Sequence, residues 1–194
     1  MDVVTVEQLL KLQTHTDIKG KVICFPTDTV YGVGALIEDN EAINKIYNLK
    51  HRDKSKPLAV LTGNKHIEKY VLEISNEAKN LMDKYWPGAL TIIFKKSNII
   101  SNKVTCNLDT IGLRMPNSKI ALSILNHFGL MATTSVNISG SAPLNDIEEI
   151  KKHFSNEIDY LVIDKEETSN VSSTIIDASS SNLKVLRQGD IIIK

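Results

Sequence analysis

The sequence has few cysteines, few aromatic residues and no excess of charge of either sign. Cys24 and Cys106 are the only cysteines among 194 residues, and their positions suggest neither a metal site nor a disulfide framework. The 23 basic and 23 acidic residues balance, so no overall field attracts nucleic acid or an anionic membrane. Any basic site must therefore be local.

Long apolar runs are also absent. No stretch approaches the ~20 apolar residues that span a bilayer, and the segment Met1–Glu7 lacks the basic start and apolar core of a signal peptide. We therefore expect a cytoplasmic protein that makes no use of a membrane. We also expect residues 1–194 to form a single domain that buries roughly 70% of its unfolded surface.

Arginine is scarce, because 20 of the 23 basic residues are lysine. Arg52, Arg114 and Arg187 are the exceptions, and each lies beside a turn signal. A guanidinium is a planar fork that binds an oxyanion with two hydrogen bonds, which lysine does not offer. The three arginines therefore predict an anion-binding constellation. The alternative is three unrelated surface arginines in a chain whose lysine excess reflects codon bias.

Apolar periodicity alternates between helical and strand segments along the chain. Helical spacing predicts helices over 6–12, 40–50, 75–86 and 119–128. Apolar and β-branched runs predict strands over 22–25, 58–61, 90–94, 111–114, 131–134, 160–163, 174–177, 184–186 and 191–193. Several predicted strands follow each other without a helix. We therefore predict an α/β fold with a twisted mixed parallel and antiparallel sheet flanked by helices.

Polar groups concentrate in Phe25–Gly34, a predicted strand and turn that carries two threonines, an aspartate, a tyrosine and two glycines. Glycines let the backbone approach a ligand closely. Lys50 and Arg52 follow at the end of the next predicted helix, where two cations suit a ligand with phosphate or carboxylate groups. The alternative role for these cations is to stabilise the negative end of that helix.

Two further segments combine hydroxyl and amide groups at predicted strand ends. Thr133–Gly140 has groups that bind phosphate, ribose or a small polar ligand, although Ser, Thr and Asn are also ordinary turn residues. Ser172–Asp177 is similar and is followed by Arg187. The histidines have no metal-ligand spacing, and we interpret them as surface groups: His15, His51, His66, His127 and His153. Neither a phosphate-binding loop nor a dinucleotide-binding fingerprint is found.

Seven motifs, taken in order, closely resemble the YrdC family, the threonylcarbamoyl-AMP synthases. They lie within residues 25–189 at Phe25–Gly34, Lys50–Leu58, Trp86–Thr91, Ile111–Pro116, Thr134–Gly140, Ser173–Asp177 and Leu186–Gly189. Family members often have Pro-Gly-Pro-Leu-Thr where this sequence has Pro87-Gly-Ala-Leu-Thr91, so Ala89 stands in place of a proline. They often have Thr-Ser-Ala-Asn where this sequence has Thr134-Ser-Val-Asn137, so Val136 stands in place of an alanine. Both changes put an aliphatic side chain in a loop and leave the polar groups in place.

The resemblance implies a YrdC-like fold with a deep basic cavity. It implies an enzyme that makes threonylcarbamoyl-AMP and pyrophosphate from L-threonine, bicarbonate or CO2, and ATP, with Mg²⁺ carried on the nucleotide. The product would serve the threonylcarbamoylation of adenosine 37 in tRNAs that read codons beginning with A. The expected partner is the tRNA threonylcarbamoyl transferase complex, together with weak binding of tRNA itself.

Site roles follow from the same resemblance. Lys50 and Arg52 would be catalytic and would bind the ATP phosphates. The other nucleotide-binding residues would be Ser135, Asn137, Ser139 and Arg187, and the threonine-binding residues Thr27, Arg114, Thr133 and Ser173. No protein nucleophile is expected, because the N-carboxylate of threonine would attack the α-phosphorus of ATP.

Two alternatives remain open. A related carbamoyl-adenylate enzyme, such as a hydrogenase-maturation carbamoyltransferase, would need additional domains for which this sequence has neither the length nor the cysteine clusters. A YrdC-like RNA-binding module is disfavoured by the balanced charge and the 5% aromatic content. Because the sequence ends at Lys194, we expect a loop to close the site instead of the extra C-terminal domain of longer family members.

Overall fold

The computed structural model describes residues 1–12 and 16–193, and a ten-stranded sheet runs through this part of the chain. Its strands in chain order are β1 (Asp2–Val4), β2 (Ile23–Phe25), β3 (Gly32–Leu36), β4 (Ala59–Leu61), β5 (Leu90–Lys95), β6 (Thr110–Arg114), β7 (Met131–Ser135), β8 (Tyr160–Val162), β9 (Thr174–Asp177) and β10 (Lys184–Arg187). Their spatial order is β1-β8-β2-β3-β7-β4-β6-β5-β9-β10.

The pairing within this sheet is mixed. β1 and β2 both lie parallel to β8, β4 is parallel to β6, and β5 is parallel to β9. β2 is antiparallel to β3, β7 is antiparallel to both β3 and β4, and the pairs β5–β6 and β9–β10 are antiparallel. The predicted mixed sheet is therefore confirmed.

The α-helices of the described residues each begin at a side-chain cap. They are α1 (Val6–Leu9), α2 (Asn40–Leu49), α3 (Asn76–Tyr85), α4 (Lys119–Phe128) and α5 (Ile147–Phe154), with a short 3-10 helix at Glu68–Tyr70. The caps Thr5, Asp39, Ser75, Ser118 and Asp146 accept hydrogen bonds from backbone N–H groups that lack a helical partner. Within the described ranges, no helix has the length and apolar character needed to cross a bilayer.

Two apolar clusters pack on opposite faces of the sheet. Along β2, Cys24 belongs to one cluster while Ile23 and Phe25 belong to the other, because successive strand residues point to opposite faces. The larger cluster includes α2 and Trp86, whose indole N–H donates to Leu90 O at 2.7 Å. The smaller cluster lies under α1 and α4. Apolar packing thus covers much of both faces of the sheet, whereas the edge strand β10 is exposed.

Several predicted elements differ from the structure. The helix predicted over 6–12 ends at Leu9, and β1 and α5 were not predicted. The strand predicted over 191–193 is wrong, because the Ile191 carbonyl accepts side-chain hydrogen bonds from Thr174 and Gln188 instead of pairing in the sheet. His15 lies outside the described residues.

The predicted glycine-rich bend is in fact strand β3. Gly32 and Gly34 have no positive φ, and they lie opposite Ser135 and Thr133 of β7. A Cβ at Gly34 would lie 2.9 Å from Thr133 Oγ1 and 3.2 Å from Phe25 Cε1. These glycines therefore make room for the Thr133 side chain, which points to the same face.

We expect Gly34→Ala to lower the free energy of unfolding by about 1–3 kcal/mol, because the added methyl group overpacks a fully buried strand. Gly112→Ala is the matched control. Its Cβ would meet Thr91 Cγ2 at 3.4 Å, which is ordinary contact within another strand of the same sheet. Urea denaturation of both variants measures the difference, and equal losses would contradict this role for Gly34.

Candidate functional site

A cavity of about 280 Å³ lies against one face of the sheet, the face that carries the smaller apolar cluster. The turn between β2 and β3 forms one wall, and residues of β3 to β7, β9 and β10 complete the lining. Its lining comprises Thr27, Thr29, Val30, Gly32, Arg52, Pro57, Leu58, Ala59, Leu61, Thr91, Arg114, Thr133, Thr134, Ser135, Ser172, Ser173, Ile175 and Arg187. Among the lining residues, the charged side chains are the three arginines, of which Arg114 is paired with Asp28.

The arginines of the chain all line this one cavity, although they lie far apart in sequence. Arg52 follows α2, Arg114 ends β6 and Arg187 ends β10. The alternative of three unrelated surface arginines is therefore wrong. Their binding of an anion stays a prediction, as does the expected depth of the cavity.

Arg114 is the most buried of the three, with 6% of its surface exposed. Its guanidinium donates to the Asp28 carboxylate, to Thr29 Oγ1 at 3.0 Å and to Gly88 O at 3.0 Å. Burial lowers the pKa of Arg114, Asp28 partly offsets this effect, and the nearby Arg187 lowers the pKa further. The ion pair with Asp28 therefore keeps the charge in place beneath the cavity.

A β-bulge turns Arg187 toward the cavity. Val185 pairs with Ile176, but Arg187 pairs with Ile175, so Leu186 is an extra residue in β10. Because paired residues share a face and neighbours alternate, the bulge places Arg187 on the side of Ile175, which lines the cavity. There the guanidinium donates to Ser173 O at 2.8 and 3.0 Å and to Ser173 Oγ at 3.2 Å.

The end of α2 directs Arg52. His51 has a φ of 47°, in the left-handed region, and the N–H groups of His51 and Arg52 donate to Asn48 O and Tyr47 O. This is the Schellman arrangement, in which a left-handed residue reverses the chain after a helix. The Arg52 side chain then donates to Lys56 O at 3.0 Å and Pro57 O at 2.9 Å. These bonds engage Nε and Nη2 of a guanidinium that lines the cavity.

Lys50 lies behind the cavity wall. Only 2% of its surface is exposed, and Nζ donates to Ser135 O at 2.6 Å, Asn137 O at 2.9 Å and Asn137 Oδ1 at 2.6 Å. Burial, followed by the charge of Arg52, lowers the pKa of Lys50 to about 8. All three N–H groups of the ammonium are therefore engaged by protein oxygens.

The structure brings most, but not all, of the predicted site residues to the lining. Those that line the cavity are Thr27, Arg52, Arg114, Thr133, Ser135, Ser173 and Arg187, whereas Lys50, Asn137 and Ser139 do not. Asn137 links Lys50 to the following loop, because its side-chain amide donates to Ser141 O at 2.6 Å. Ser139 has an exposed side chain, and its N–H donates to Lys50 O at 2.8 Å.

Sequence reasoning missed several residues of the site. Asp28 and Thr29 hold Arg114, and Thr91 Oγ1 lies 2.9 Å from Ser173 Oγ, so these residues fix predicted ones in place. All three belong to motifs of the family resemblance, which was the available signal. Leu58 and Ile175 add apolar lining that no polar motif indicates.

A protein-held metal was not predicted at this site. Among the described residues, no group of three or more His, Cys, Asp and Glu side chains is arranged to hold an ion. The carboxylate of Asp28, in the turn between β2 and β3, is paired with Arg114.

These features define the class: an α/β protein whose mixed sheet carries a polar, arginine-lined cavity on one face. The Sua5/YciO/YrdC family model, described as "Telomere recombination", matches residues 18–189. The chain therefore belongs to the Sua5/YciO/YrdC family.

Two relatives show how far this likeness extends. A Pyrococcus abyssi protein named threonylcarbamoyl-AMP synthase is 34% identical over 173 residues, which cover 88% of this chain and 51% of the relative. A Methanocaldococcus jannaschii relative is 36% identical over 191 residues, which cover 97% of this chain and 89% of the relative. The chain thus spans about half the length of the first relative and most of the second.

A solved structure agrees with this assignment. The crystal structure of Pyrococcus abyssi Sua5 complexed with L-threonine matches with a TM-score of 0.88 and 29% identity. The match covers 97% of this chain and 58% of the Sua5 chain. The predicted fold class and family are therefore confirmed.

We expect Asp28→Ala to lower the free energy of unfolding by about 3 kcal/mol, because it leaves the buried Arg114 charge without its partner. The matched control is Asp83→Ala, which removes an exposed ion pair with Lys65 and costs less than about 1 kcal/mol. Denaturant titration compares the two variants. A loss for Asp28→Ala no larger than for the control would contradict this role.

The lowered pKa of Lys50 predicts a pH effect on stability. Its folded-state pKa of about 8 lies below the ordinary value of 10.5, so between these values the unfolded chain binds more protons. The free energy of unfolding of the wild type, minus that of Lys50→Met, is therefore expected to rise as pH increases from 8 to 10. Denaturant titrations at several pH values measure this difference, and one that stays constant or falls would contradict the shift.

Proposed function

We propose that this chain is a threonylcarbamoyl-AMP synthase that uses L-threonine, bicarbonate or CO2, and ATP, and releases pyrophosphate. The observation that carries the proposal is the gathering of the scarce arginines with threonine and serine hydroxyls in one cavity. The family membership and the name of the Pyrococcus abyssi relative support this assignment. The Sua5 structure with L-threonine supports an amino-acid substrate.

The proposed reaction needs no protein nucleophile. The threonine amine adds to CO2 and loses a proton, which gives an N-carboxylate. A carboxylate oxygen then bonds to the α-phosphorus of ATP, and the bond from this phosphorus to the bridging oxygen breaks to release pyrophosphate. The protein would act by holding both substrates in line and by stabilising the negative charge that develops on pyrophosphate.

The proposed roles divide the cavity in two. Arg114 would bind the threonine carboxylate, with Thr27, Thr133 and Ser173 around the rest of the amino acid. Arg52 and Arg187 would serve the nucleotide, together with Ser135, Asn137 and Ser139. The placement of Arg52 on the loop after α2 supports this division, because its side chain lines the cavity and a guanidinium pairs well with phosphate.

The role proposed for Lys50 depends on whether its hydrogen bonds exchange when a nucleotide binds. Its Nζ donates three hydrogen bonds behind the wall formed by Ser135, so a direct contact with phosphate would require at least one of these bonds to exchange. Without such an exchange, its charge would still act on the nucleotide through the wall, because buried charges are weakly screened. Either way, the role proposed for Lys50 is electrostatic.

Mg²⁺ would enter bound to the triphosphate and neutralise part of its charge. The cavity volume of about 280 Å³ lies near the lower end of the ~300–1,000 Å³ typical of ligand pockets. A site of this size suits an amino acid and part of a nucleotide. The rest of the nucleotide would then extend past the cavity mouth.

The proposal also covers the biological setting. The product would be used for threonylcarbamoylation of adenosine 37 in tRNA, through handover to the tRNA threonylcarbamoyl transferase complex, with weak tRNA binding by this chain. Two free thiols, Cys24 and Cys106, support a reducing cytoplasmic location. The continuous sheet supports a single domain over 1–194.

The experiment that tests this function measures pyrophosphate release from ATP and Mg²⁺ with threonine and bicarbonate. We expect release to require both co-substrates, and mass spectrometry to detect threonylcarbamoyl-AMP. Release that persists without threonine or without bicarbonate would refute the proposed function. Salt-sensitive tRNA binding without any such turnover would instead favour the RNA-binding alternative.

We expect Arg52→Ala to lower kcat by about 10²- to 10³-fold, because it removes a charge proposed to stabilise the departing pyrophosphate. Lys54→Ala is the matched control, since it removes a positive charge from an exposed position two residues further along the same loop. Steady-state kinetics of pyrophosphate release compares the variants. Near-normal turnover by Arg52→Ala would remove Arg52 from the catalytic role.

A further inference from the structure

A connecting segment beside the cavity forms backbone hydrogen bonds with the turn between β2 and β3. Residues 164–172, which we call the strap, follow β8 near one edge of the sheet and lead to β9 near the other. Along this path, Ser169 N donates to Asp28 O and Asn170 N donates to Thr29 O, both at 2.9 Å. The strap therefore lies against the turn between β2 and β3 and is joined to it by two backbone hydrogen bonds.

Those two carbonyls belong to the residues that hold Arg114. The Asp28 carboxylate and the Thr29 hydroxyl accept from its Nη2 and Nη1 groups. A shift of the backbone at either residue therefore moves an acceptor of Arg114. The strap therefore constrains the backbone of this part of the turn. The charged side chains of the strap itself do not line the cavity.

Asn145 ties the strap to the loop after β7. Its Oδ1 accepts from Tyr31 N at 2.9 Å, and its Nδ2 donates to Asn170 Oδ1 at 2.5 Å. Asn170 has a φ of 59°, and its Oδ1 also accepts from Thr168 Oγ1 at 3.1 Å. One half-buried amide thus joins the end of the cavity turn, the strap and the loop that precedes α5.

We propose that Asn145 is a positioning residue for the threonine half of the site, acting through Asn170 and the turn on Arg114. The inference rests on the proposed function, because it assigns the threonine carboxylate to Arg114. Arg52, in the nucleotide half, has a separate support, because the carbonyls of Lys56 and Pro57 hold it. Loss of Asn145 is therefore expected to affect threonine more than ATP.

The first test compares the KM values of the two substrates. We expect Asn145→Leu, which removes both hydrogen bonds at similar side-chain volume, to raise the KM for threonine about tenfold. The KM for ATP should change less than about twofold, with the melting temperature showing that the variant is folded. Equal increases in both KM values, or no increase in the KM for threonine, would overturn the proposal.

Two conservative variants provide the controls. Asn145→Asp keeps an acceptor for Tyr31 N–H, and rotation of the Asn170 amide lets its Nδ2 donate to the new carboxylate. Asn170→Asp keeps the acceptor for Asn145 Nδ2, and aspartate tolerates a positive φ. Both are expected to stay within about threefold of the wild-type KM for threonine. A tenfold increase in either variant would show that the amide link is not what matters.

Asn170→Gly tests the side chain of Asn170 separately from its backbone conformation, because glycine adopts the positive φ but lacks the Oδ1 acceptor. We expect it to raise the KM for threonine, and the double variant Asn145→Leu/Asn170→Gly to be no worse than Asn145→Leu alone. Additive effects of the two changes would contradict a shared pathway.

A measurement without substrates keeps this inference separate from the proposed function. Amide hydrogen exchange at Tyr31 is expected to be slow in the wild type and in Asn145→Asp, and at least about tenfold faster in Asn145→Leu. If the wild type shows no threonine-dependent turnover, the proposed function fails while this exchange result still reports on Asn145. Unchanged exchange at Tyr31 would overturn the positioning role directly.

Discussion

The buried ion pair between Arg114 and Asp28 is the interaction on which the site depends. It joins the end of β6 to the turn between β2 and β3, and the same guanidinium also binds Gly88 O before β5. A charge at this depth persists only with a partner and with its remaining donors satisfied. The Asp28 carboxylate, the Thr29 hydroxyl and the Gly88 carbonyl accept from this guanidinium, so the wall of the cavity and the environment of its most buried arginine are one arrangement.

Much of the fold could be predicted from local patterns. α4 was predicted with its observed bounds, and α2 and α3 begin within one residue of their predicted starts, because apolar spacing and N-cap chemistry act within a few residues. β3 was not predicted as a strand. Its glycines indicate a turn by propensity, whereas their observed role, making room for Thr133, depends on a strand 100 residues away.

Sequence reasoning predicted which residues belong to the candidate site better than it predicted how they are arranged. The scarcity of arginine identified Arg52, Arg114 and Arg187 as a set, and the structure places all three around the cavity. No sequence pattern indicates that Lys50 lies behind the wall, because that depends on where the carbonyls of Ser135 and Asn137 meet the end of α2. The Leu186 bulge that turns Arg187 inward is likewise a property of strand pairing, not of local sequence.

The pairing of β9 with β5 and of β10 with β9 has a consequence for folding. The cavity combines Thr27, near the start of the chain, with Arg187, which lies in the last strand. Contacts between residues so far apart in sequence form late, because the entropy of closing a long loop is lost before they contribute. During synthesis from the N-terminus, most of the sheet is available before the ribosome has released β10. The cavity is therefore completed only after β9 and β10 have emerged, and a nascent chain that already has much of its core still lacks a complete cavity.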